Sequence, residues 1–351
     1  MDKSAKITYA MIEVAIEKGM RDIEDNTRRG IRNLVDLGSH LSQGRFYEDL
    51  FRMAQQMLSN ENSPLYDLTR NMIRYVDHEL LKNIVIKLAY TCWTYGAQRI
   101  REYEKQHGYN VPWTLVFDFR QESEDMLSAG ELRELLNEGE SIGIYCGMFF
   151  LKDNPQLLAD LLTVLSENEE GVFFVFAAPA AITWDNARVI GASKNTVPVL
   201  HLQSLAERQS YLEAAKVLTE NKCLFATYGE YNDDNLPLLL SSRYLNLVKT
   251  VKGVGFITLR SQQLNKAENI NLINNFITSA KTATRYPFLI IDFYDEIAHV
   301  DRTISVEDCF LAIQGNGQIA VKTMDNRLPQ LNIRTHSLQA IMEKTMPKIS
   351  Y

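Results

Sequence analysis

The residues best suited to hold iron or attack carbon are Cys92, Cys146, Cys223 and Cys309, and their spacing suits neither task. No CxxC or CxxxCxxC occurs, and no Cys-His cluster has metal-ligand spacing. The first three lie in apolar segments, where a free cysteine behaves as a small hydrophobe. His299-x-Asp301 would put two ligands on one strand face, but no third ligand is nearby. Ser128 and Ser241-Ser242 lack the glycine-flanked turn that exposes a nucleophilic hydroxyl. Lys3, Arg21, Arg28, Arg29 and Arg32 form a charge-rich helical face, and Glu122, Glu124 and Asp125 a short acidic loop. Both patterns read as solvated surface.

Elements that could position chemistry begin in the middle of the chain. Residues 1–110 read as helical throughout, with apolar residues at three- and four-residue spacing, as in Ile7, Met11, Ile12, Ala15 and Ile16. A long helix is expected from about Asp77 to Gln106, ended by His107-Gly108. From Val111, apolar runs rich in β-branched and aromatic residues alternate with helical stretches. The expected strands are Trp113–Phe119, Ile142–Cys146, Val172–Ala177, Val197–Leu202, Cys223–Tyr228, Gly255–Leu259 and Phe288–Phe293. Apolar strands separated by crossover helices imply a parallel sheet covered by helices, an α/β fold. Without a GxGxxG loop, a parallel (β/α) barrel, open or closed, is favoured over a dinucleotide-binding sheet. After Val300 a hairpin through Gln314-Gly315-Asn316-Gly317 and a helix at Ser337–Lys344 complete the chain. The reading is therefore of three parts: a helical domain over 1–110, a barrel over 111–299 and an extension over 300–351.

A parallel barrel binds ligands at the C-terminal ends of its strands. Those ends are expected to carry Asp118, Arg120, Tyr145, Cys146, His201, Gln203, Thr227, Glu230, Arg260, Asp292 and Asp295. Of these, Tyr145, His201, Gln203, Thr227, Arg260 and Asp292 form a candidate cavity for a small polar ligand. The chain has 351 residues, 46% of them hydrophobic and 23% charged, and a net charge of −7. Such composition excludes collagenous and disordered classes and carries no general nucleic-acid footprint. No apolar run approaches the ~20 residues of a membrane span, and no signal peptide is read at the start. The expectation is a cytoplasmic protein.

Asn110-Val111-Pro112-Trp113-Thr114-Leu115-Val116-Phe117-Asp118 resembles the first-strand segment of bacterial radical S-adenosylmethionine (radical SAM) proteins that have a helical N-terminal region. The likeness continues in order along the chain. Tyr145-Cys146-Gly147-Met148-Phe149 falls where the family has Gly-Gly-Glu-Pro. Phe173–Ala178 with Ile182-Thr183, then Asn195–Val199, fall on the next two strands. Asp292-Phe293-Tyr294-Asp295 resembles a late Asp-Phe-x-Asn-Asp segment. Asp308-Cys309 and Gly315-Asn316-Gly317-Gln318 resemble the cysteine-rich C-terminal extension of SPASM type.

The resemblance implies a radical SAM-like partial barrel, and with it a 4Fe–4S cluster on three thiolates after the first strand. Here that loop runs Asp118-Phe119-Arg120-Gln121-Glu122-Ser123-Glu124-Asp125-Met126 without a cysteine. Gly-Gly-Glu-Pro has become Cys146-Gly147-Met148-Phe149, Ser-x-Glu-Gly has become His201-Leu202-Gln203-Ser204, and the extension keeps Cys309 alone. Neither Arg nor Gln can replace an iron-bound thiolate. The expectation is a degenerate member: no catalytic residue, no metal, no cluster and no SAM chemistry. Its role would be to bind another protein, a cluster-bearing relative being one such partner, with no nucleic acid or membrane involved. The alternative is a small-ligand binder or non-radical enzyme using the strand-end residues, with SAM itself one candidate ligand.

Overall fold

A computed structural model describes residues 2–41, 45–121, 125–261, 266–283, 285–305, 307, 309–321 and 331–348. The helices before the sheet are α1 (Lys3–Asp25), α2 (Thr27–Leu41), α3 (Arg45–Ser59), α4 (Pro64–Tyr75), α5 (His78–Ile86) and α6 (Ala97–His107). A π-helical segment, Lys87–Gly96, joins the last two. The expected single helix thus continues, but with a widened turn in its middle. Thr94 Oγ1 donates to the Ala89 carbonyl five residues back at 2.9 Å, within this wider winding.

Strands and helices then alternate: β1 (Thr114–Phe119), α7 (Ala129–Ile142), β2 (Cys146–Leu151), α8 (Pro155–Glu167), β3 (Val172–Ala177), α9 (Trp184–Ser193), β4 (Thr196–His201), α10 (Arg208–Glu220) and β5 (Ala226–Tyr231). They continue through α11 (Leu236–Leu239), α12 (Ser242–Thr250), β6 (Gly255–Arg260), α13 (Ala267–Ala283), β7 (Leu289–Asp292) and α14 (Phe293–Ser305). A hairpin, β8 (Leu311–Gln314) and β9 (Ile319–Val321), and α15 (Leu338–Thr345) follow. Strand order is β7-β6-β5-β4-β3-β2-β1-β8-β9. The pairs β1–β2, β2–β3, β4–β5, β5–β6, β6–β7 and β1–β8 are parallel, whereas β8–β9 is antiparallel. From β1 to β7 each strand is added beside the last, which is the order of a (β/α) barrel rather than a doubly wound sheet, and β8 then adds beside β1.

Two expected strands are displaced. Ile142–Cys146 is not a strand, because α7 runs to Ile142 and Gly143 turns the chain at φ 108°. A side chain at Gly143 would also meet the Gly96 carbonyl at 2.8 Å, so the turn needs glycine twice over. The strand is Cys146–Leu151. Likewise Cys223–Phe225 precede β5 rather than open it.

The chain divides into two compact units, 1–82 with 199–295, and 83–198 with 296–351. In the first, α1 and α2 cross so closely that a Cβ on Gly30 would meet the Asp22 backbone at 2.6 Å. Lys82 is buried there among Glu13, Glu17 and Glu79, at 3.1, 2.8 and 3.0 Å. Burial opposes its charge, but the three carboxylates raise its pKa above the ordinary lysine value. In the second unit α6 meets the C-terminal segment, with Lys348 Nζ 3.2 Å from the buried Glu104 carboxylate. Trp113 Nε1 donates to the Ile297 carbonyl at 3.3 Å. Among the described residues no helix is long and apolar enough to cross a membrane.

Candidate functional site

Capping side chains account for several candidates. Ser128 caps α7 in a reciprocal box with Glu131, and Ser241 caps α12 by accepting from the Tyr244 amide. His299 and Asp301 lie on α14, not on a strand. Asp301 is buried and accepts from the backbone amides of Trp113 at 3.3 Å and Cys309 at 3.2 Å. Spacing of two residues puts neighbouring helical side chains on different faces, which removes the reason to pair them as ligands. Arg32 Nε donates to the Tyr66 hydroxyl at 2.8 Å, so part of the charge-rich face is internal packing.

The strand-end ring is divided by the pleat. Gly229 marks the helix side of β5, since a Cβ there would meet the Tyr244 hydroxyl and Leu239. Alternation puts Thr227 and Tyr231 on that side, and the register adds Thr258, Arg260 and Asp292. His201 pairs with Tyr228 on the opposite side, their rings stacked at 4.3 Å. Thr227 is the second residue of its strand, far from the C-terminal end. Gln203 lies exposed beyond β4. Tyr145 is buried one residue before β2, at the end opposite to the expected one, and Cys146 opens that strand. The true ends of β2 and β5 are Leu151 and Tyr231. Sequence reading missed Tyr231, whose only signal is its place two residues after Gly229.

Asp292 is the most connected of these groups. One carboxylate oxygen accepts from the Tyr231 hydroxyl at 2.9 Å and the Thr258 hydroxyl at 3.1 Å. The other accepts from the Tyr294 and Asp295 amides at the start of α14, at 3.1 and 3.3 Å. Burial, with the Asp295 charge beside it, raises its pKa above the usual carboxylate value despite these donors. Its lone pairs are engaged in holding β5, β6 and α14. Arg260 lies over the Tyr294 ring at 5.8 Å.

The unit containing β1–β3 is where the resemblance puts its cofactor. Leu115 faces α7, because a Cβ on Gly139 would touch it at 3.5 Å. The other side of the three strands therefore carries Val116, Asp118, Met148, Phe150, Phe174 and Phe176. Phe150 and Phe176 stack at 4.2 Å, and the Arg120 guanidinium sits 5.1 Å from the Phe150 ring. Arg120 also holds both Asp118 carboxylate oxygens, at 2.8 and 2.7 Å. Burial disfavours the Asp118 charge, but Arg120 keeps its pKa below the ordinary value. The loop is tied to the hairpin: the Leu127 amide donates to the Gly315 carbonyl at 2.7 Å and the Gly315 amide to that of Asp118 at 3.1 Å. Glu122 and Glu124 lie outside the described residues, as does Asp308.

These residues do not fit an iron–sulfur cluster. All four cysteines are buried free thiols. Burial pushes the Cys146 thiol up to about 12 and raises those of Cys92 and Cys309. Cys309 Sγ donates to the Glu307 carbonyl at 3.2 Å, and Cys223 Sγ lies 3.8 Å from the Asn221 carbonyl. A cluster needs several convergent thiolates, whereas burial disfavours the thiolate at Cys92, Cys146 and Cys309, and Cys223 and Cys309 contact nearby carbonyls. Among the described residues no group of three His, Cys, Asp or Glu side chains is placed to hold a metal ion.

No family profile and no curated protein matches the chain. Solved structures do. SuiB of Streptococcus suis, in a crystal structure bound to S-adenosylmethionine, is 14% identical over 70% of this chain and 67% of that one, with a TM-score of 0.54. A second SuiB structure gives 14% identity, 70% and 69% coverage, and a TM-score of 0.52. The chain thus shares the fold of SuiB, a mixed α/β architecture with a mostly parallel sheet.

Proposed function

We propose that this chain is a cytoplasmic radical SAM-like pseudoenzyme that acts by binding another protein, a cluster-bearing relative being the first candidate. The carrying observation is the helix-distal side of β1–β3. Met148, Phe150 and Phe176 fill it, and the Arg120–Asp118 pair closes its end. Side chains thus take the surface on which this fold would carry a cluster and SAM, and none of them is an iron ligand. The segment after Val300 is read as a SPASM-like extension reduced to one hairpin and a single cysteine, Cys309.

The small-ligand alternative rests on a strand-end cavity, and His201 lies on the side of the sheet opposite Thr227, Arg260 and Asp292. That division favours the binding role. Two measurements test the proposal on the full chain. Anaerobic reconstitution with iron and sulfide should leave less than stoichiometric iron and no cluster EPR signal after reduction, and calorimetry should give no heat on adding SAM. Affinity purification from the native host should recover a cluster-bearing relative at near-stoichiometric yield. Cysteine-dependent cluster signals, or a protein that purifies alone and turns over a small molecule, would overturn the proposal.

A further inference from the structure

The π-helical segment Lys87–Gly96 carries two buried polar side chains that nothing satisfies. Hydrogen bonds in such a helix run to the fifth residue, so side chains four and five apart share a face. Lys87, Thr91 and Cys92 therefore stand together. Lys87 is 6% exposed, yet its amine makes no hydrogen bond or ion pair among the described residues. Lys82, equally buried, holds three carboxylates. The Thr91 hydroxyl is also buried without a hydrogen-bond partner among the described residues. Burying an amine and a hydroxyl unpartnered is costly. Groups kept at such a cost point to a function rather than to stability.

The surroundings decide the chemistry. Gly96 packs on Gly143 and Tyr145, so the segment lies at the end of the sheet where β2 begins. Glu140 of α7 and Glu169 and Glu170, just before β3, act on the amine by charge without pairing with it. Burial is the larger influence and holds the Lys87 pKa down to about 8, Cys92 and the three carboxylates only partly opposing it. An amine so placed is available unprotonated near neutral pH, as imine chemistry requires. The Nζ lone pair adds to a carbonyl carbon, and the carbonyl π electrons pass to its oxygen. That oxygen takes the proton the nitrogen loses, and a solvent proton then carries it off as water, leaving an iminium. The iminium is a cation, which the surrounding carboxylates favour. The Thr91 hydroxyl shares the face of Lys87 and is free to donate to the oxygen before it leaves. An amine this buried admits only a small molecule, and the carboxylates disfavour an anionic one.

We propose that Lys87 is a covalent capture site for a small neutral aldehyde or ketone, held as an imine beside Thr91. This goes beyond the binding role and does not depend on it, since the groups belong to one unit, away from the C-terminal strand ends. The test incubates the full chain with acetaldehyde and cyanoborohydride at about pH 7.5 and reads ethylation lysine by lysine by peptide mass spectrometry. The unprotonated fraction of Lys87 is then roughly 200 times that of an ordinary lysine. Burial slows access, so ethylation at Lys87 should be at least about 10-fold faster than at exposed Lys216 and Lys249. Pyridoxal, a bulkier aromatic aldehyde, should leave Lys87 unmodified. Thr91→Val keeps the side-chain shape and breaks no hydrogen bond among the described residues. It should leave the urea midpoint no lower while slowing Lys87 ethylation about 10-fold, the scale of one lost hydrogen bond. Ethylation no faster than at the exposed lysines, equal reaction of Lys87 with pyridoxal, or a rate indifferent to Thr91→Val would each overturn the proposal.

Discussion

At the end of β1, Asp118 is held by the guanidinium of Arg120 above an aromatic stack; at the end of β7, Asp292 is held by a tyrosine, a threonine and the first amides of a helix. Both carboxylates stand where a parallel barrel would offer ligand-binding groups, and both are engaged internally. The means differ. Asp118 and Arg120 are each about a third exposed, so their ion pair is a lid of modest strength over an apolar surface. Asp292 is buried and joins three elements, so its hydrogen bonds are part of the core. One region has filled its surface with hydrophobic volume, the other has converted strand-end polarity into fastening.

The largest expected effect sharpens this contrast. Phe150→Ala removes a buried ring stacked on Phe176 and should destabilise the chain by about 3–5 kcal/mol in urea unfolding. Asp292→Ala strips the cap of α14 and leaves two buried hydroxyls with fewer partners, at a cost of about 2–3 kcal/mol. An Asp292→Ala loss exceeding that of Phe150→Ala would reverse the comparison.

Lys87 sharpens it from the other direction, as a buried amine in the apolar region. Burial lowers its pKa to about 8, the nearby Cys92 and acidic residues only partly opposing this. Between about 8 and the ordinary lysine value near 10.5 the unfolded chain binds more protons, so this group makes stability rise with pH there. Below that window its full burial penalty is present. Lys87→Met should therefore stabilise the chain by about 2 kcal/mol at pH 7. The gain over wild type should shrink as pH rises through 8 towards 10.5, measured by chemical denaturation across that range. A gain independent of pH would mean that packing, not charge, sets the effect.

The smallest effect concerns the turns before the strands. Lys194 and Lys222 end α9 and α10 in the left-handed region, at φ 59° and 55°. Glycine has no steric penalty there, so Lys194→Gly and Lys222→Gly should each raise stability by up to about 1 kcal/mol. Differential scanning calorimetry checks this, and equal gains would show that the two regions share turn mechanics despite their different interiors.

Where a local signal stood alone, the chain could be read directly. Strand Val172–Ala177 and helix Pro155–Glu167 lie at their expected limits, the helix opened by Asn154 and a proline in its first turn. Helix Trp184–Ser193 was not read at all, since only its Thr183 cap marks it. In Ile142–Leu151 and Cys223–Tyr231 the apolar run is nearly continuous, so nothing in its composition marks where pairing starts. A strand that starts four residues later, as at Cys146, or three later, as at Ala226, changes which end a side chain occupies. That displacement is why Tyr145, Cys146 and Thr227 stand away from the strand ends to which sequence assigned them.

The sequence by itself determined the alternation of helices and strands, the parallel sheet that follows from it and the absence of a three-cysteine loop, because each depends on residue types at short range. Only the tertiary structure decided which strand-end groups meet. Facing is set by register between strands, and register follows from packing and from turns such as Gly143, which no period along a single strand records.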